Sequence, residues 1–402
     1  MADTTASSGV MRTGVFYRSE ALTQLSNADW ATLSTINIRL VVDLRTPSEI
    51  AGPVTSMAPN AGQDRLPAGA SPLNGNVYGT YYPPSPPTLN SSADSARHAV
   101  KVILLERNGG PARARNRGAQ AARGDILVFI DSDVCVHPDT LRRIDAHFRE
   151  HPRSDAVMGS YDDTPAHPAF VSQYKNLFHH YVHHHSRPEA RTFWAGCGAV
   201  RRATFLSCGG FDESYTRPCI EDIELGGRLH AAGHRLDLNP NIQVTHLKQW
   251  TLWGLLRTDI RDRAVPWALL MLRRRSMPAD LNATFAQRIS VALAGLLLVF
   301  TALVLSGPLV TLPATLRATA GAGSVACAAL LGVLNRDLYR FFARQRGIVF
   351  AARVIPLHWL YFLYCGASLV LAAQAYLWER ITGQPPAASS SSADATRARV
   401  GD

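Results

Sequence analysis

Two aspartates one residue apart, Asp131 and Asp133, follow the uninterrupted apolar run Ile126-Leu127-Val128-Phe129-Ile130. Five apolar residues in a row suit a strand buried on both faces of a parallel sheet. In open α/β sheets, ligands bind beyond the carboxyl ends of such strands. Carboxylates placed there can share a hard divalent cation, which fills the rest of its shell with water and phosphate oxygens. The ion then neutralises charge building on a departing diphosphate. The competing explanation is a solvated turn, since Asp-x-Asp is common.

A second acidic pair, Glu221 and Asp222, stands in Cys219-Ile220-Glu221-Asp222-Ile223-Glu224-Leu225, just after Pro218 and at the expected start of a helix ending at Gly233. The helix dipole favours carboxylates in the first turn; it keeps the acid ionised and able to accept a proton at neutral pH. Plain helix capping is the alternative. Phe193-Trp194-Ala195-Gly196-Cys197-Gly198-Ala199 and Gly209-Gly210-Phe211-Asp212-Glu213 place small residues where a backbone can approach a ligand, or are ordinary glycine turns. His246, in Val244-Thr245-His246-Leu247-Lys248, is either structural or a third ligand, and imidazole suits Mn2+ better than Mg2+. His179, His180, His183, His184 and His185 form a further group in which His179 and His183 share a helix face. No acidic neighbour completes a metal site there, so these histidines read as structural or interfacial.

The elements that must position these groups are legible around them. Pro111 to Arg123 reads as a helix, with Pro111 at its first position and Gly124 at its stop. A tight turn and the buried strand into Asp131 follow. Strand-like and helix-like runs alternate over residues 96–270, the expected catalytic domain. Residues 1–60 form a short globular fragment, and 61–95, with Tyr82-Pro83-Pro84-Ser85-Pro86-Pro87, have linker chemistry. Residues 271–380 are mostly apolar with arginine clusters, and 381–402 are an Ala/Ser-rich disordered tail.

Within the apolar third, Ile289 to Leu305 is free of charge, Ala318 to Leu334 is weaker, and Ile348 to Trp378 is interrupted by Arg353, Pro356 and His358. A span needs ~20 apolar residues, so two to three transmembrane helices are expected. Arg273, Arg274, Arg275 and Arg288 precede the first span and Arg336, Arg340, Arg344 and Arg346 follow the second. The bias of arginine toward the inner face puts these flanks, and the catalytic stretch, on the cytoplasmic side. Arg340 to Arg346, with Phe341 and Phe342, reads as an interfacial amphipathic helix.

The 402 residues carry 41 Lys and Arg against 31 Asp and Glu, a formal charge of +10. That excess calls for anionic partners, and the apolar segments favour a membrane over nucleic acid. The six cysteines show no Cys-x-x-Cys spacing, which argues against a zinc pattern and a disulfide framework. Met1 to Val10 is polar and lacks the apolar centre of a cleaved signal peptide. The first apolar span is therefore expected to direct insertion.

The run Asn108-Gly109-Gly110-Pro111-Ala112-Arg113-Ala114-Arg115-Asn116-Arg117-Gly118, then Gly124-Asp125 and the strand into Asp131-Ser132-Asp133, closely resembles family 2 glycosyltransferases. The Gly-Cys-Gly-Ala loop, Gly209 to Glu213, Glu221-Asp222 and His246 follow in that family's order, over about 175 residues. The resemblance implies an α/β fold, here a partial GT-A nucleotide-diphospho-sugar transferase domain followed by transmembrane α-helices. It implies a nucleotide-sugar donor, a lipid or glycan acceptor, and Mg2+ or Mn2+ held by Asp133 with help from Asp131 and His246. Arg115 and Asp131 would lie near the donor. Asp222 would deprotonate the acceptor hydroxyl, with Glu221 in support, and in-line attack would invert the anomeric centre. The implied location is a multi-pass protein of a bacterial inner (cytoplasmic) membrane, with no nucleic-acid partner.

The resemblance fails at the N-terminus. The family opens with a strand, a helix and a second strand ending in acids that grip the nucleoside, whereas Leu89-Asn90-Ser91-Ser92-Ala93-Asp94 lacks paired acids. Instead Arg12 to Leu22 and Leu40 to Glu49 resemble the start of a bacterial tyrosine-phosphatase-like domain. Phosphatase chemistry needs a cysteine with arginine six positions later, and none of the six cysteines has one. The alternative to an active transferase is thus a catalytically inactive, truncated or fused glycosyltransferase-like membrane protein. Arg39 to Leu44, with Asp43 at its end, is a candidate replacement for the first strand.

Overall fold

A computed structural model describes residues 103, 105, 108–131, 133–275, 284–306 and 312–384, together with the backbone of two short strands at 15–18 and 40–43. The expected linker at 61–95 and the tail beyond residue 384 lie outside the described residues. The chain divides into two compact units, one holding residues 1–162 and 188–248, the other 163–187 and 249–402. Residues 163–187 and 249–270 therefore group with the apolar C-terminal part, and the rest of 96–270 with the first unit.

The first unit is built on strands β1 (Val15–Arg18), β2 (Leu40–Asp43), β3 (Ile126–Ile130), β4 (Val134–Val136), β5 (Ala156–Tyr161), β6 (Glu189–Ala190), β7 (Cys197–Arg201) and β8 (Leu236–His246). They form one mixed sheet of order β2-β1-β3-β7-β5-β8-β4, with β6 beside β8. Its helices are α1 (Gly110–Ala121), α2 (Thr140–Glu150), α4 (Arg202–Ser207) and α5 (Glu221–Ala231). Helix α3 (Phe170–His184) belongs to the second unit.

Every residue of β3 is buried, as its apolar run requires. On one side β3 pairs antiparallel with β7; on the other it runs parallel to β1, which in turn pairs parallel with β2. The segment lying against β3 is therefore Val15–Arg18, and Leu40–Asp43 is one strand further out. Helix α1 has Pro111 in its first turn and ends at Ala121; the extended backbone of Ala122 (φ −70°, ψ 144°) breaks it before Gly124 is reached.

Strand β8 is eleven residues long and runs through Asn239-Pro240. Pro240 is tolerated because the register against β5 jumps there, from Met158 opposite Leu238 to Ser160 opposite Gln243. Gly159 sits at the jump, where a Cβ would come 2.2 Å from the Ile242 carbonyl oxygen.

Helix α5 crosses the Thr192–Phe193 backbone so closely that a Cβ on Gly226 would lie 2.1 Å from the Phe193 nitrogen. Alanine ordinarily favours a helix over glycine by ~1 kcal/mol. Here Gly226→Ala is expected to reverse that sign and destabilise by about 1–3 kcal/mol through overpacking. Denaturant unfolding of the purified chain, followed by tryptophan fluorescence, checks it.

The second unit contains α3, α6 (Leu252–Arg257), a π-helical turn at Thr258–Ala264, α7 (Val265–Arg274), α8 (Phe285–Leu305), α9 (Ala314–Leu334), α10 (Arg336–Arg346) and α11 (Ile348–Thr382). Helices α8, α9 and α11 are each long and apolar enough to cross a membrane. Tyr174, Leu177 and Phe178 of α3 pack with Leu338 and Phe342 of α10 and with Ala351, Val354 and Leu357 of α11. Lys175 of α3 donates to both oxygens of the buried Asp259 carboxylate (2.8 and 2.7 Å), which also accepts from the Tyr364 hydroxyl (2.7 Å).

Candidate active site

Asp131 leaves the end of β3, where its N–H donates to the Gly196 carbonyl (3.1 Å) and ties it to the glycine loop before β7. Arg115, from the inner face of α1, bridges two elements. Its Nη2 donates to Asp131 Oδ1 (2.8 Å) and its Nη1 to Glu221 Oε1 (2.6 Å). Glu221 Oε2 accepts the Cys219 N–H (2.9 Å), so both of its oxygens are engaged within the protein. Burial works against the Arg115 charge, but Asp131, Glu221 and Asp222 outweigh it and keep the guanidinium protonated. Burial pushes Asp131 up; Arg115 opposes that shift and Asp133 adds to it.

Asp133 immediately precedes β4, which pairs antiparallel with β8 so that Val134 faces His246 and the Leu247 N–H donates to the Asp133 carbonyl (2.8 Å). This register brings Asp133 Oδ2 to 3.4 Å from His246 Nε2 and 3.9 Å from Lys248 Nζ. Burial disfavours the charged carboxylate, yet His246 and Lys248 hold Asp133 below the usual carboxylate range. The His246 ring stacks on Tyr161 (centroids 4.3 Å apart, planes at 10°), and Tyr161 meets Trp194 edge-on at 4.9 Å.

Asp222 lies in the first turn of α5. Its Oδ2 accepts the Ala195 N–H (3.1 Å) and its Oδ1 the Ile223 N–H (2.8 Å). The sequence argument expects the helix dipole to keep this acid ionised. Dense enclosure and the neighbouring Glu221 charge prevail instead, pushing its carboxyl up to about 7 against the pull of Arg115.

The Gly209–Glu213 loop is a structural clip. Asn116 Nδ2 donates to the Phe211 carbonyl (2.8 Å) and Glu213 Oε1 (3.0 Å), while its Oδ1 accepts the Phe211 N–H (2.8 Å). Arg228 of α5 donates to the Cys208 and Gly210 carbonyls. This loop braces α1 and α5, so its glycines serve turns.

Among the described residues, no group of three or more His, Cys, Asp or Glu side chains is arranged to hold a metal ion. Of the expected trio, Asp131 binds Arg115 through Oδ1 and still feels the Asp133 charge, while Asp133 lies beside His246. A carboxylate and an imidazole side by side still fit a divalent ion that takes its other ligands from water and diphosphate oxygens. The histidine group lies at the end of α3 in the second unit, with His179 tilted against His183 (4.0 Å) and His180 stacked on His184 (3.9 Å). Two neighbours of the site had no role from sequence, Lys248 and Tyr161. Lys248 stands two residues past His246, and that spacing was the available signal; Tyr161 gave none.

Residues 85–209 match the family profile described as Glycosyl transferase family 2. That stretch is a glycosyltransferase-like domain. The matched stretch contains Arg115, Asp131 and Asp133, and Glu221, Asp222 and His246 follow it in the same unit. The chain thus combines an α/β nucleotide-sugar transferase-like domain with long apolar helices consistent with membrane spans. The succinoglycan biosynthesis protein ExoO of Rhizobium meliloti is 53% identical over 45 residues, 11% of this chain and 13% of that protein. A pre-mycofactocin glycosyltransferase of Mycobacterium tuberculosis is 29% identical over 170 residues, 40% of this chain and 34% of that protein. The chain therefore spans about a third or less of these relatives' lengths. A mannosyltransferase from Pyrobaculum calidifontis, solved with GDP-Man and Mn2+, overlays with a TM-score of 0.38 at 16% identity, covering 92% of this chain and 88% of that one. That score is too low to compare site with site. The comparisons give no support to a phosphatase-like segment at residues 12–50.

Proposed function

We propose that the chain is a membrane-bound inverting glycosyltransferase that moves a sugar from a nucleotide-diphosphate donor to the hydroxyl of a lipid or glycan acceptor. The observation that carries this reading is one connected charged cluster, Asp131–Arg115–Glu221 with Asp222 adjoining, beside the Asp133–His246 pair. Asp222 is the general base: its carboxylate takes the acceptor proton while the acceptor oxygen bonds the anomeric carbon and the nucleoside diphosphate departs with the other bonding pair. Asp133 and His246 are the residues that would hold a divalent ion. When bound, that ion supplies counter-charge for the diphosphate. Lys248 adds positive charge beside Asp133. Glu221 supports Asp222, and the charges of Glu221 and Arg115 set its proton affinity, while Arg115 and Asp131 face the donor. The catalytic unit sits on the cytoplasmic side of the membrane, as the arginine flanks indicate.

The test is sugar release or transfer from a panel of nucleotide sugars by the detergent-purified chain, with and without Mn2+. Metal-stimulated turnover lost in Asp133→Ala supports the reading. Donor binding without turnover under every condition would favour a catalytically inactive relative, and turnover that survives Asp133→Ala would refute the metal assignment.

A base must be ionised to work, so kcat/KM is expected to rise with pH through about 7, the value for Asp222, and to level above it. Glu221→Gln removes a neighbouring negative charge that raises the Asp222 value. Its acidic limb should therefore shift to lower pH, which a pH–rate profile of both proteins reads directly.

A further inference from the structure

The sequence marks residues 340–346 as an amphipathic helix with lipid-seeking phenylalanines, but the structure turns that arrangement around. On α10, Leu338 and Phe342 are 3% and 0% exposed. Phe342 packs against Tyr174 (centroids 5.9 Å apart), and Phe341 stacks on His180 at 5.8 Å. The apolar side is thus consumed within the protein. The opposite side carries Arg336, Arg340 and Arg344, at i, i+4 spacing along one stripe and all exposed. The side chains of Arg336 and Arg340 are 61% and 64% exposed, and both lie beside Asp337, itself 66% exposed. Arg346 is different: it turns inward to donate to Gln173 Oε1 and the Asp163 carbonyl, both at 2.9 Å.

The location adds to this. Helix α10 joins the end of α9, at Leu334, to the start of α11, at Ile348, and both are long enough to span. An eleven-residue helix of ~16 Å is too short to cross a bilayer, so between two spans it belongs at one membrane face. Residues 335–353 hold five arginines against one aspartate, whereas the connector at 306–313 holds no charged residue. A concentrated cationic stripe at one face, with its apolar side already occupied, matches the negative surface of a leaflet containing anionic lipid.

We propose that the Arg336, Arg340 and Arg344 stripe of α10 binds the phosphates of anionic bilayer phospholipids. The test titrates the labelled full chain, in a neutral detergent, with phosphatidylglycerol, with phosphatidylcholine of the same acyl chains, and with inorganic phosphate, read by thermophoresis. Phosphatidylglycerol is expected to bind about tenfold or more tighter than phosphatidylcholine and to weaken as salt rises. Arg336→Gln/Arg340→Gln/Arg344→Gln should lose about tenfold or more of that affinity, while the triple lysine replacement stays within about threefold, because a leaflet reads charge. A melting curve without lipid confirms that the glutamine variant is folded. If it is not, the lysine variant and the three-ligand comparison on the parent chain still decide. Equal affinity for the two lipids, unchanged affinity in a folded glutamine variant, or displacement of phosphatidylglycerol by an equal concentration of inorganic phosphate would each overturn the proposal.

Discussion

Asp222→Asn is expected to lower turnover by about 10²–10⁴-fold, the usual contribution of a positioned general base, while nucleotide-diphosphate affinity stays within about twofold. The substitution keeps the size of the side chain and an oxygen able to accept the Ala195 N–H. What it removes is the ability to take a proton. Because the change falls on the transition state and not on donor binding, kcat should drop with little movement of the donor's KM. Steady-state kinetics on the purified chain, with calorimetric binding of uridine and guanosine diphosphates, separates the two. A variant retaining more than about a tenth of parental turnover would move the base assignment elsewhere, since so small an effect is below what general-base removal produces.

Arg115→Met carries the largest expected stability effect. The guanidinium is enclosed between Asp131 and Glu221, with Asp222 adding to the local negative charge. Removing it leaves acids facing one another in a buried setting, where breaking one side of an ion pair costs about 3–5 kcal/mol. For a unit of this size the melting temperature should fall by roughly 6–20 °C. Arg115→Lys should recover only part of the loss, because one ammonium cannot reproduce a fork that reaches two carboxylates in different elements. Adding Glu221→Gln to Arg115→Met should also recover part of it, since one of the stranded charges is then gone. Thermal unfolding of the parent, Arg115→Met, Glu221→Gln and their double variant closes that double-mutant cycle. Equal melting temperatures in all four would mean the triad carries little of the unit's stability.

Much of this site was legible in the sequence because it rests on patterns that local chemistry enforces. Ile126 to Ile130 could hardly be anything but a buried strand, so the aspartates beyond it had to stand at a sheet edge. Pro111 and Gly233 punctuate α1 and the end of α5 as their backbone preferences dictate; Gly233 indeed adopts φ +85°. Pairings between distant segments were not legible. Nothing local says that Val134 faces His246, yet that register is what brings Asp133 beside His246. Arg115 offered no hint that it would be held by Asp131 and Glu221, 16 and 106 residues away. The proton affinity of Asp222 was misjudged for the same reason: a helix dipole is visible in one dimension, whereas enclosure and a charged neighbour arise only in three. On α10, a helical pattern revealed two faces but not which face the protein would claim.

The helix at Phe170–His184 has a consequence during synthesis. Its neighbours along the chain belong to the sheet-bearing unit, but its own packing partners are α10 and the start of α11. A ribosome adding ~5–20 residues per second must make about 150 more residues after His184 before Arg336 appears, an interval of roughly 8–30 s. Throughout that interval Tyr174, Leu177 and Phe178 lack the surface that later covers them. The nascent chain therefore passes through a stage in which a sticky helix is on display while the spans that anchor it are still being translated. Expression yield should consequently depend on whatever shields that helix, a holding chaperone or early delivery to the membrane, more than on the stability of the finished fold.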